Sequence, residues 1–475
     1  MEHAGANPYT AGLAEFIARL RYEQIPSEVS ARLKLLILDS LGCALFGSEL
    51  PWCRLLRETL AAVDTSTGCA VWGTAQRLSA PHAALANGTA VQSFELDDVH
   101  PQGALHVGAV TLPPLIAIAE SRSELNGEEF LTAAAAGYET GPRVGMCMGQ
   151  EHIGQGWHSG ATVGVFAAAA GAAAALRLAP KQVVDALGLA GTQSSGLMAA
   201  QYGAMAKRMH AGRAAQSGLY AALLAERGFT GITDVFESPY GGFCTTFSRS
   251  QDRFDLGELT AQLGERWETM RVALKFYSCV ASNHTTLDAL RLLQARRPFG
   301  ADDIVRIVVH GSRVTVDHVG WPYRPAGVTA AQLNLPFAVA TLLLEGDVFV
   351  DQFDERAVSD PRRIALAQRV EVREDTAITA RGAKARHQVR VEVELADGAR
   401  LEQELEVARG TEKRFAHESE IIDKFMKLAA HNVSPVHAQR IVDEVMHLER
   451  AAGVTPLAGL LRAAVNPQPR MSTPE

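Results

Sequence analysis

Cysteine is scarce in this 475-residue chain: there are six, and no two of them form a Cys-x-x-Cys motif. No set of cysteines and histidines has the spacing of a zinc site, and an iron–sulfur cluster would need cysteines closer together in the chain. Scattered single cysteines are typical of reduced, buried thiols in a cytosolic protein. We therefore expect no disulfides and no metal–thiolate chemistry, and we assign Cys279 a structural role.

Charged residues of one sign are not clustered along the sequence. There is no run of five like charges, and 45 Lys and Arg residues against 53 Asp and Glu residues leave a formal net charge of −8. Such a chain is not expected to bind nucleic acid or an anionic membrane surface. Residues 1–10 contain neither a basic nor an apolar region, so we expect no signal peptide and a cytoplasmic location. The longest uncharged stretch, residues 156–176, is rich in Ala and Gly and contains His158, which favours a buried helix over a membrane span.

Nucleotide-binding motifs are also missing. The sequence has no Walker A motif, no Gly-x-Gly-x-x-Gly after a predicted strand, and no Gly-x-Ser-x-Gly. We expect the protein to use no cofactor.

The hydrophobic pattern divides the chain into parts. The first half has helical periodicity, which predicts helices at 27–45, 112–123, 130–138, 163–176, 180–189 and 214–227. Asp39 and Ser40 lie among apolar residues of the first of these helices, and repeated glycines predict close helix packing. Alternating, β-branched segments follow after about residue 270, which predicts strands at 303–310, 369–373, 387–395 and 400–407, the last two joined by a turn at 396–398. Helices are expected at 331–344, 419–429 and 437–448.

The predicted fold is therefore mainly α with an α+β part. We expect an all-helical domain formed by residues 1–270 and 410–465, an inserted α+β domain at 271–409, and a frayed tail at 466–475.

The first chemically distinctive segment spans residues 93–108. It contains Glu95, Asp97, Asp98, His100 and His106 around a Pro and a Gly that mark a loop. Neighbouring carboxylates raise one another's pKa and can orient an imidazole. A solvated acidic turn is the alternative. A metal site has less support, because no His-x-His or His-x-x-x-His spacing occurs here.

Three further segments carry basic groups. His158 lies between glycines before an Ala-rich helix, where backbone N–H groups favour an anion; a capping histidine is the alternative. Lys207 and His210 would share one helix face and could bind a carboxylate, unless that face is simply solvated. Lys275, Tyr277 and His284 fall at the predicted domain boundary, where clefts form. Such groups suit proton abstraction next to a carboxylate.

Taken in order, these four segments resemble the MmgE/PrpD family over nearly the whole chain. The matching segments are NGTAVQSFELDDVH with the following HVGAVTLPPLIAIAE, GWHSGATVGVF, AKRMHAGRAAQSG and LKFYSCVASNHTTLDAL. Members of the family include 2-methylcitrate dehydratase, cis-aconitate decarboxylase and iminodisuccinate epimerase. The resemblance implies a large helical domain with a smaller α+β lid domain, a homodimer, and cofactor-independent chemistry on a small di- or tricarboxylate in the cleft between the domains.

The resemblance also implies roles for individual residues. The catalytic candidates are His158, His106, Asp97, Lys207 and Lys275. His158 is the first choice for general acid or base, the two lysines would bind substrate carboxylates, and the acidic loop would orient His106. The candidates for substrate binding are Glu95, Asp98, His100, His210, Tyr277 and His284.

Departures from the family pattern leave several functions open. Glu95 replaces the usual Asp, and Ser278 replaces a common Pro. The decarboxylase branch has Thr where this chain has Val99 and a catalytic-type His where it has Val280, which counts against decarboxylation. Our first hypothesis is dehydration of a 2-methylcitrate-like hydroxy acid. An epimerase or isomerase of an amino- or iminodicarboxylate ranks second and a cis-aconitate-type decarboxylase third. A binding protein without activity and a metal-dependent hydrolase are the remaining alternatives.

Overall fold

The computed structural model describes residues 8–122, 125–149, 151–202 and 204–462. Two compact units divide this part of the chain. The helical unit comprises the described residues up to Ser93, then Asp97–Val272, and those from His417 onward. The α+β unit comprises Phe94–Leu96 and Ala273–Ala416. The fold is mainly α with an α+β part, as the sequence predicts.

In the described residues up to Val272, the helical unit contains twelve α-helices and one small two-stranded sheet. The helices are α1 Pro8–Arg19, α2 Ser27–Gly47, α3 Pro51–Val63, α4 Ala80–Val91, α5 Val107–Arg122, α6 Gly127–Met148, α7 Glu151–Gly154, α8 Ser159–Thr162, α9 Gly164–Ala175, α10 Pro180–Gly191, α11 Ala206–Glu226 and α12 Phe243–Ser248. The strands are β1 Cys69–Ala70 and β2 Arg77–Leu78, which pair antiparallel.

Small side chains let these helices pack closely. Helix α11 packs against α4 and α9, and α9 packs against α6. Where α4 crosses α11, a Cβ atom on Gly88 would lie 2.8 Å from the Cα atom of Gly212, so both positions require glycine. The predicted close packing of glycine-rich helices is therefore confirmed for this crossing.

Four predicted helices of this unit differ from the structure in extent. Helix α5 starts at Val107, earlier than predicted, and includes Pro113 and Pro114. Helix α6 continues to Met148, beyond the predicted end at 138, and α11 starts at Ala206, before the predicted start at 214. The uncharged stretch at 156–176 forms two helices, α8 and α9, rather than one. Within the described ranges, every helix is too short or too polar to cross a membrane.

The α+β unit contains one mixed sheet and short helices. The strands are β3 Ile304–Gly311, β4 Val370–Glu374, β5 Val389–Leu395 and β6 Arg400–Leu405. The helices are α13 Ala281–Arg296, α14 Arg313–Val319, α15 Val328–Gln332, α16 Leu335–Glu345, α17 Glu355–Val358, α18 Pro361–Ala367 and α19 Thr376–Ala380.

The sheet has the order β4-β3-β5-β6. Strands β3 and β4 run parallel, whereas β5 pairs antiparallel with both β3 and β6. Along β5 the inward positions Val389, Val391 and Val393 are buried and alternate with half-buried polar residues, as expected for a sheet with one covered face. Helix α13 packs against β5, β6 and α16. The predicted hairpin between the last two strands is confirmed.

Three helices at the end of the chain complete the helical unit: α20 Glu418–Ala429, α21 Pro435–Met446 and α22 Thr455–Leu461. Helix α20 packs against α2, so the two ends of the chain form one core. The predicted frayed tail at 466–475 lies outside the described residues.

Candidate active site

The acidic loop, residues 93–106, joins helix α4 to helix α5. At its end, Asp97 Oδ2 lies 3.0 Å from His106 Nδ1. The Asp97 side chain is completely buried, whereas that of His106 is 18% exposed. A buried carboxylate therefore holds an imidazole that solvent or a ligand can reach. This arrangement places a negative charge beside one ring nitrogen of the imidazole.

Asp98 faces the protein interior. Its carboxylate accepts hydrogen bonds from the Gly108 N–H at 3.0 Å and from the Tyr138 hydroxyl at 2.9 Å. Burial and the adjacent Asp97 carboxylate raise the pKa of Asp98 to about 7, although the two hydrogen bonds act in the opposite direction. A Cβ atom on Gly108 would lie 2.0 Å from Ser40 Oγ, so helix α5 starts in direct contact with helix α2. Asp98 therefore anchors the acidic loop to the start of α5.

His100 lies in the same loop but has both ring nitrogens occupied. Its Nε2 lies 3.1 Å from Glu268 Oε2, and its Nδ1 accepts the Gly103 N–H at 2.8 Å. The side chain is fully buried. The sequence predicted substrate binding for His100, whereas these contacts favour a role in shaping the loop.

His158 immediately precedes the short helix α8. Its N–H donates to the Gly196 carbonyl at 3.2 Å, and its side chain makes no capping hydrogen bond to the helix. The Ser159 hydroxyl donates to the carbonyl of Ala104 in the acidic loop. The His158 segment is therefore attached to the loop that carries His106.

His158 packs against a second histidine on helix α11. The ring centroids of His158 and His210 are 4.7 Å apart, with an interplanar angle of 50°. Burial and the charge of Lys207, one turn earlier on α11, lower the pKa of His210. Among the residues that the structure describes, His210 Nδ1 has no hydrogen-bond partner. The helical unit thus brings two imidazoles and an ammonium group together, next to the segment bound to the acidic loop.

Lys275 and Glu95 both belong to the α+β unit. Lys275 Nζ lies 3.8 Å from Glu95 Oε2, and both side chains are buried. Glu95 has a left-handed backbone conformation, with φ at 57°. Because non-glycine residues rarely adopt this conformation, and such strain clusters at functional sites, the Lys275–Glu95 pair stays a candidate.

Tyr277 and His284 have structural contacts within the α+β unit. The Tyr277 hydroxyl donates to Asp288 Oδ1 at 2.8 Å, and His284 Nε2 lies 3.1 Å from the Cys279 carbonyl. The two side chains are buried. Burial raises the pKa of Cys279 to about 12, so its thiol stays protonated at neutral pH. These contacts favour a structural role for all three residues.

One buried pair in the helical unit is absent from the site residues that the sequence predicts. Lys424 Nζ on α20 lies 2.5 Å from Asp39 Oδ1 on α2. The sequence signal was a carboxylate among apolar residues of α2, but nothing in the sequence indicates its partner. Within the described ranges, no group of three or more His, Cys, Asp or Glu residues is arranged to hold a metal ion.

Family models match both parts of the chain. The MmgE/PrpD N-terminal domain matches residues 11–255, and the MmgE/PrpD C-terminal domain matches residues 277–450. The chain belongs to the MmgE/PrpD family. The two-part architecture described above is that of this family.

Several curated relatives of this family member are similar over most of their length. A cis-aconitate decarboxylase-like protein, oryM, of Aspergillus oryzae is 36% identical over 95% of this chain and 97% of its own length. The cis-aconitate decarboxylase of Aspergillus terreus is 32% identical over 96% of both chains. The mouse cis-aconitate decarboxylase is 28% identical over 76% of this chain and 75% of its own.

Proposed function

We propose that this protein is a lyase that decarboxylates a small unsaturated polycarboxylate of the cis-aconitate type. The observation that carries the proposal is the near full-length similarity to two fungal proteins with cis-aconitate decarboxylase names, at 36% and 32% identity. This order reverses the ranking from the sequence analysis, in which dehydration came first. The comparisons support a lyase acting on a small carboxylate and do not favour dehydration.

Decarboxylation of cis-aconitate requires stabilisation of the electron pair that CO₂ leaves behind, and then a proton donor. When the carboxymethyl group of cis-aconitate loses CO₂, the bonding pair forms a new carbon–carbon double bond. The electrons of the former double bond move onto the vinylic carbon, where the attached carboxylate delocalises them. Protonation of that carbon gives a methylene-substituted succinate. One substrate and one proton therefore yield one CO₂ and one dicarboxylate.

The helical unit contains groups suited to these steps. Lys207 offers a cation that can hold a substrate carboxylate and stabilise the charge that develops on it. His158 and His210 form an imidazole pair that can supply the proton, and the lowered pKa of His210 makes its protonated form the stronger acid. His106, held by Asp97, can bind a second carboxylate or serve as the acid.

For Lys275 we propose the role that the family resemblance implies, which is binding of a substrate carboxylate. Its ammonium group already lies near the Glu95 carboxylate. A Lys275→Met variant is expected to raise KM for the tricarboxylate, and an unchanged KM would remove Lys275 from the site.

Dehydration of a 2-methylcitrate-like hydroxy acid is the second candidate, and Val280 favours it. The decarboxylase branch of the family has a histidine at this position. Here Val280 directly precedes helix α13 and donates its backbone N–H to the Gln332 carbonyl at 3.1 Å. Its hydrocarbon side chain cannot transfer a proton, so a decarboxylase built on this chain must protonate its product from another residue.

Proton NMR of the chelator-treated protein with separate substrates distinguishes the candidates. The substrates are cis-aconitate, 2-methylcitrate, citrate and iminodisuccinate. Methylene vinyl signals from cis-aconitate, together with released CO₂, are the expected result. A new unsaturated acid from 2-methylcitrate would instead support dehydration. Solvent deuterium uptake into iminodisuccinate without an unsaturated product would support an epimerase.

Two histidine variants test the assignment of the site. His158→Gln is expected to lower kcat at least a hundredfold, in line with the roughly 10²–10⁴-fold contribution of general acid–base catalysis. His82→Gln is the control and should keep wild-type kcat, because His82 lies in the same unit, where it contacts Asp64 at 2.7 Å, but is not among the candidate site residues. Equal activity in wild type and His158→Gln would exclude His158 as the proton donor.

A further inference from the structure

A completely buried ion pair joins an early helix of the helical unit to one near the end of the chain. Lys424 Nζ on α20 and Asp39 Oδ1 on α2 are 2.5 Å apart, and their side chains are 2% and 0% exposed. Transfer of two charges from water into a protein core is costly, and well-packed apolar residues often give equal or greater stability. Stability alone therefore gives little reason for a lysine and an aspartate at these positions.

The charged groups around the Asp39–Lys424 pair include Asp97 of the acidic loop. Asp97, the residue that holds His106, is close enough for its charge to raise the pKa values of both Asp39 and Lys424. Cys43 lies one turn after Asp39 on α2, and its pKa is affected by the charges of Asp39, Lys424, Asp97 and Asp98. The ion pair and the acidic loop therefore share one buried charge cluster.

A side-chain contact of Ser40 also couples helix α2 to the acidic loop. Ser40, next to Asp39 on α2, lies against Gly108, where a Cβ atom would be 2.0 Å from Ser40 Oγ. Gly108 donates to Asp98 and follows His106 by two residues. A change in the position of α2 at Asp39 would therefore be transmitted to the loop and to His106.

We propose that the buried Asp39–Lys424 pair is a positioning element that controls the protonation of the Asp97–His106 pair. Asp39, Asp97 and Asp98 supply three carboxylates to one buried cluster, and Lys424 and Arg32 supply two cations. Lys424 supplies positive charge to the cluster that contains Asp97, while Asp39 holds that lysine in place. Neither residue contacts the substrate, and both act through Asp97.

The titratable and charged groups around the cluster come from three helices and the loop. They are Arg32, Asp39 and Cys43 on α2, Tyr138 on α6, Lys424 on α20, and Asp97, Asp98 and His106. Burial raises the pKa values of Cys43 and Tyr138 well above their ordinary values, so both stay neutral at physiological pH. The groups that can respond to loss of the ion pair are therefore the carboxylates and His106.

The test is NMR titration of His106 in protein labelled with ¹³C at histidine Cε1, with the signal assigned from a His106→Gln variant. Lys424→Gln removes a positive charge and should move the His106 titration to higher pH. Asp39→Asn removes a negative charge and should move it to lower pH. In each variant the midpoint of the His106 titration should move by about half a pH unit to one pH unit, as expected when one charge that does not touch the ring is removed from a protein interior.

Lys34→Gln is the matched control. Lys34 also lies on α2 and its Nζ is 2.9 Å from Glu449 Oε2, but the pair is partly exposed, at 13% and 24%. The His106 titration should not change in this variant. The inference rests on the proposed role of His106, but the titration needs no substrate, so its outcome is independent of whether decarboxylation is the reaction.

Opposite shifts in the two single variants support the proposal. Shifts in the same direction, or none, overturn it, because a purely structural pair would lower the melting temperature without a charge-dependent effect on His106. If neither single variant folds in buffer alone, both titrations are repeated in sucrose, which favours the folded state. Opposite shifts of the His106 titration again support the proposal, and shifts in one direction or none overturn it.

Discussion

Replacing Asp97 by Asn tests whether the acidic loop controls the reactivity of His106. The substitution keeps the shape of the side chain but removes a fully buried negative charge 3.0 Å from His106 Nδ1. An ion-pair contact at this distance with a buried carboxylate is worth a few kcal/mol at an effective dielectric constant of about 20, and we take about 2–3 kcal/mol of it as present only in the transition state. If about 2–3 kcal/mol is lost in the transition state, kcat falls about 30- to 150-fold.

The assay is initial-rate decarboxylation of cis-aconitate across a pH series. Because the Asp97 side chain is completely buried, it does not contact the substrate, and KM should change less than about threefold while kcat falls. Asp64→Asn is the control, since Asp64 contacts His82 at 2.7 Å in the same unit, and it should keep wild-type kcat. A folded Asp97→Asn variant with wild-type kcat and pH profile would refute a catalytic role for the Asp97–His106 pair.

Two further predictions concern stability. Gly108→Ala should lower the free energy of unfolding by about 3 kcal/mol, since its Cβ atom would overlap Ser40 Oγ. Gly300→Ala is the control: no atom lies within 4 Å of its added Cβ, so it should change this free energy by less than about 0.5 kcal/mol. Equal chemical denaturation curves for the two variants would contradict the close contact between Gly108 and Ser40. Burial lowers the pKa of His152 from near 6.5 to about 4. The unfolded chain therefore binds this proton first, and stability falls as pH drops below about 6.5. The loss through His152 should reach about 2 kcal/mol at pH 5 and be absent in His152→Gln, as measured by urea denaturation at several pH values.

Much of the fold could be predicted because its signals are local. The apolar periodicity of residues 27–45 predicts helix α2, and the structure extends it only to Gly47. The alternation of apolar and polar residues on either side of a tight turn predicts the β5–β6 hairpin, which the structure contains. Periodicity reports which face of a segment is buried, and that property does not depend on distant parts of the chain.

Contacts between distant residues could not be predicted in the same way. The sequence indicates that Asp39 interrupts an apolar face, but its partner Lys424 comes from the other end of the chain. His100 and His106 look equivalent in the acidic loop, yet His100 contacts Glu268 and is fully buried, whereas His106 is 18% exposed. Which histidine stays accessible is decided by tertiary packing, and a single sequence does not encode it in a local pattern.

The chemistry of the proposed reaction is tested most directly by turnover of cis-aconitate in heavy water, followed by NMR and CO₂ analysis. Decarboxylation with protonation by the protein predicts one CO₂ for each substrate consumed and one deuterium at the former vinylic carbon of a methylene-substituted succinate. Consumption of cis-aconitate without CO₂ release, or no consumption while 2-methylcitrate is dehydrated, would contradict the proposed function.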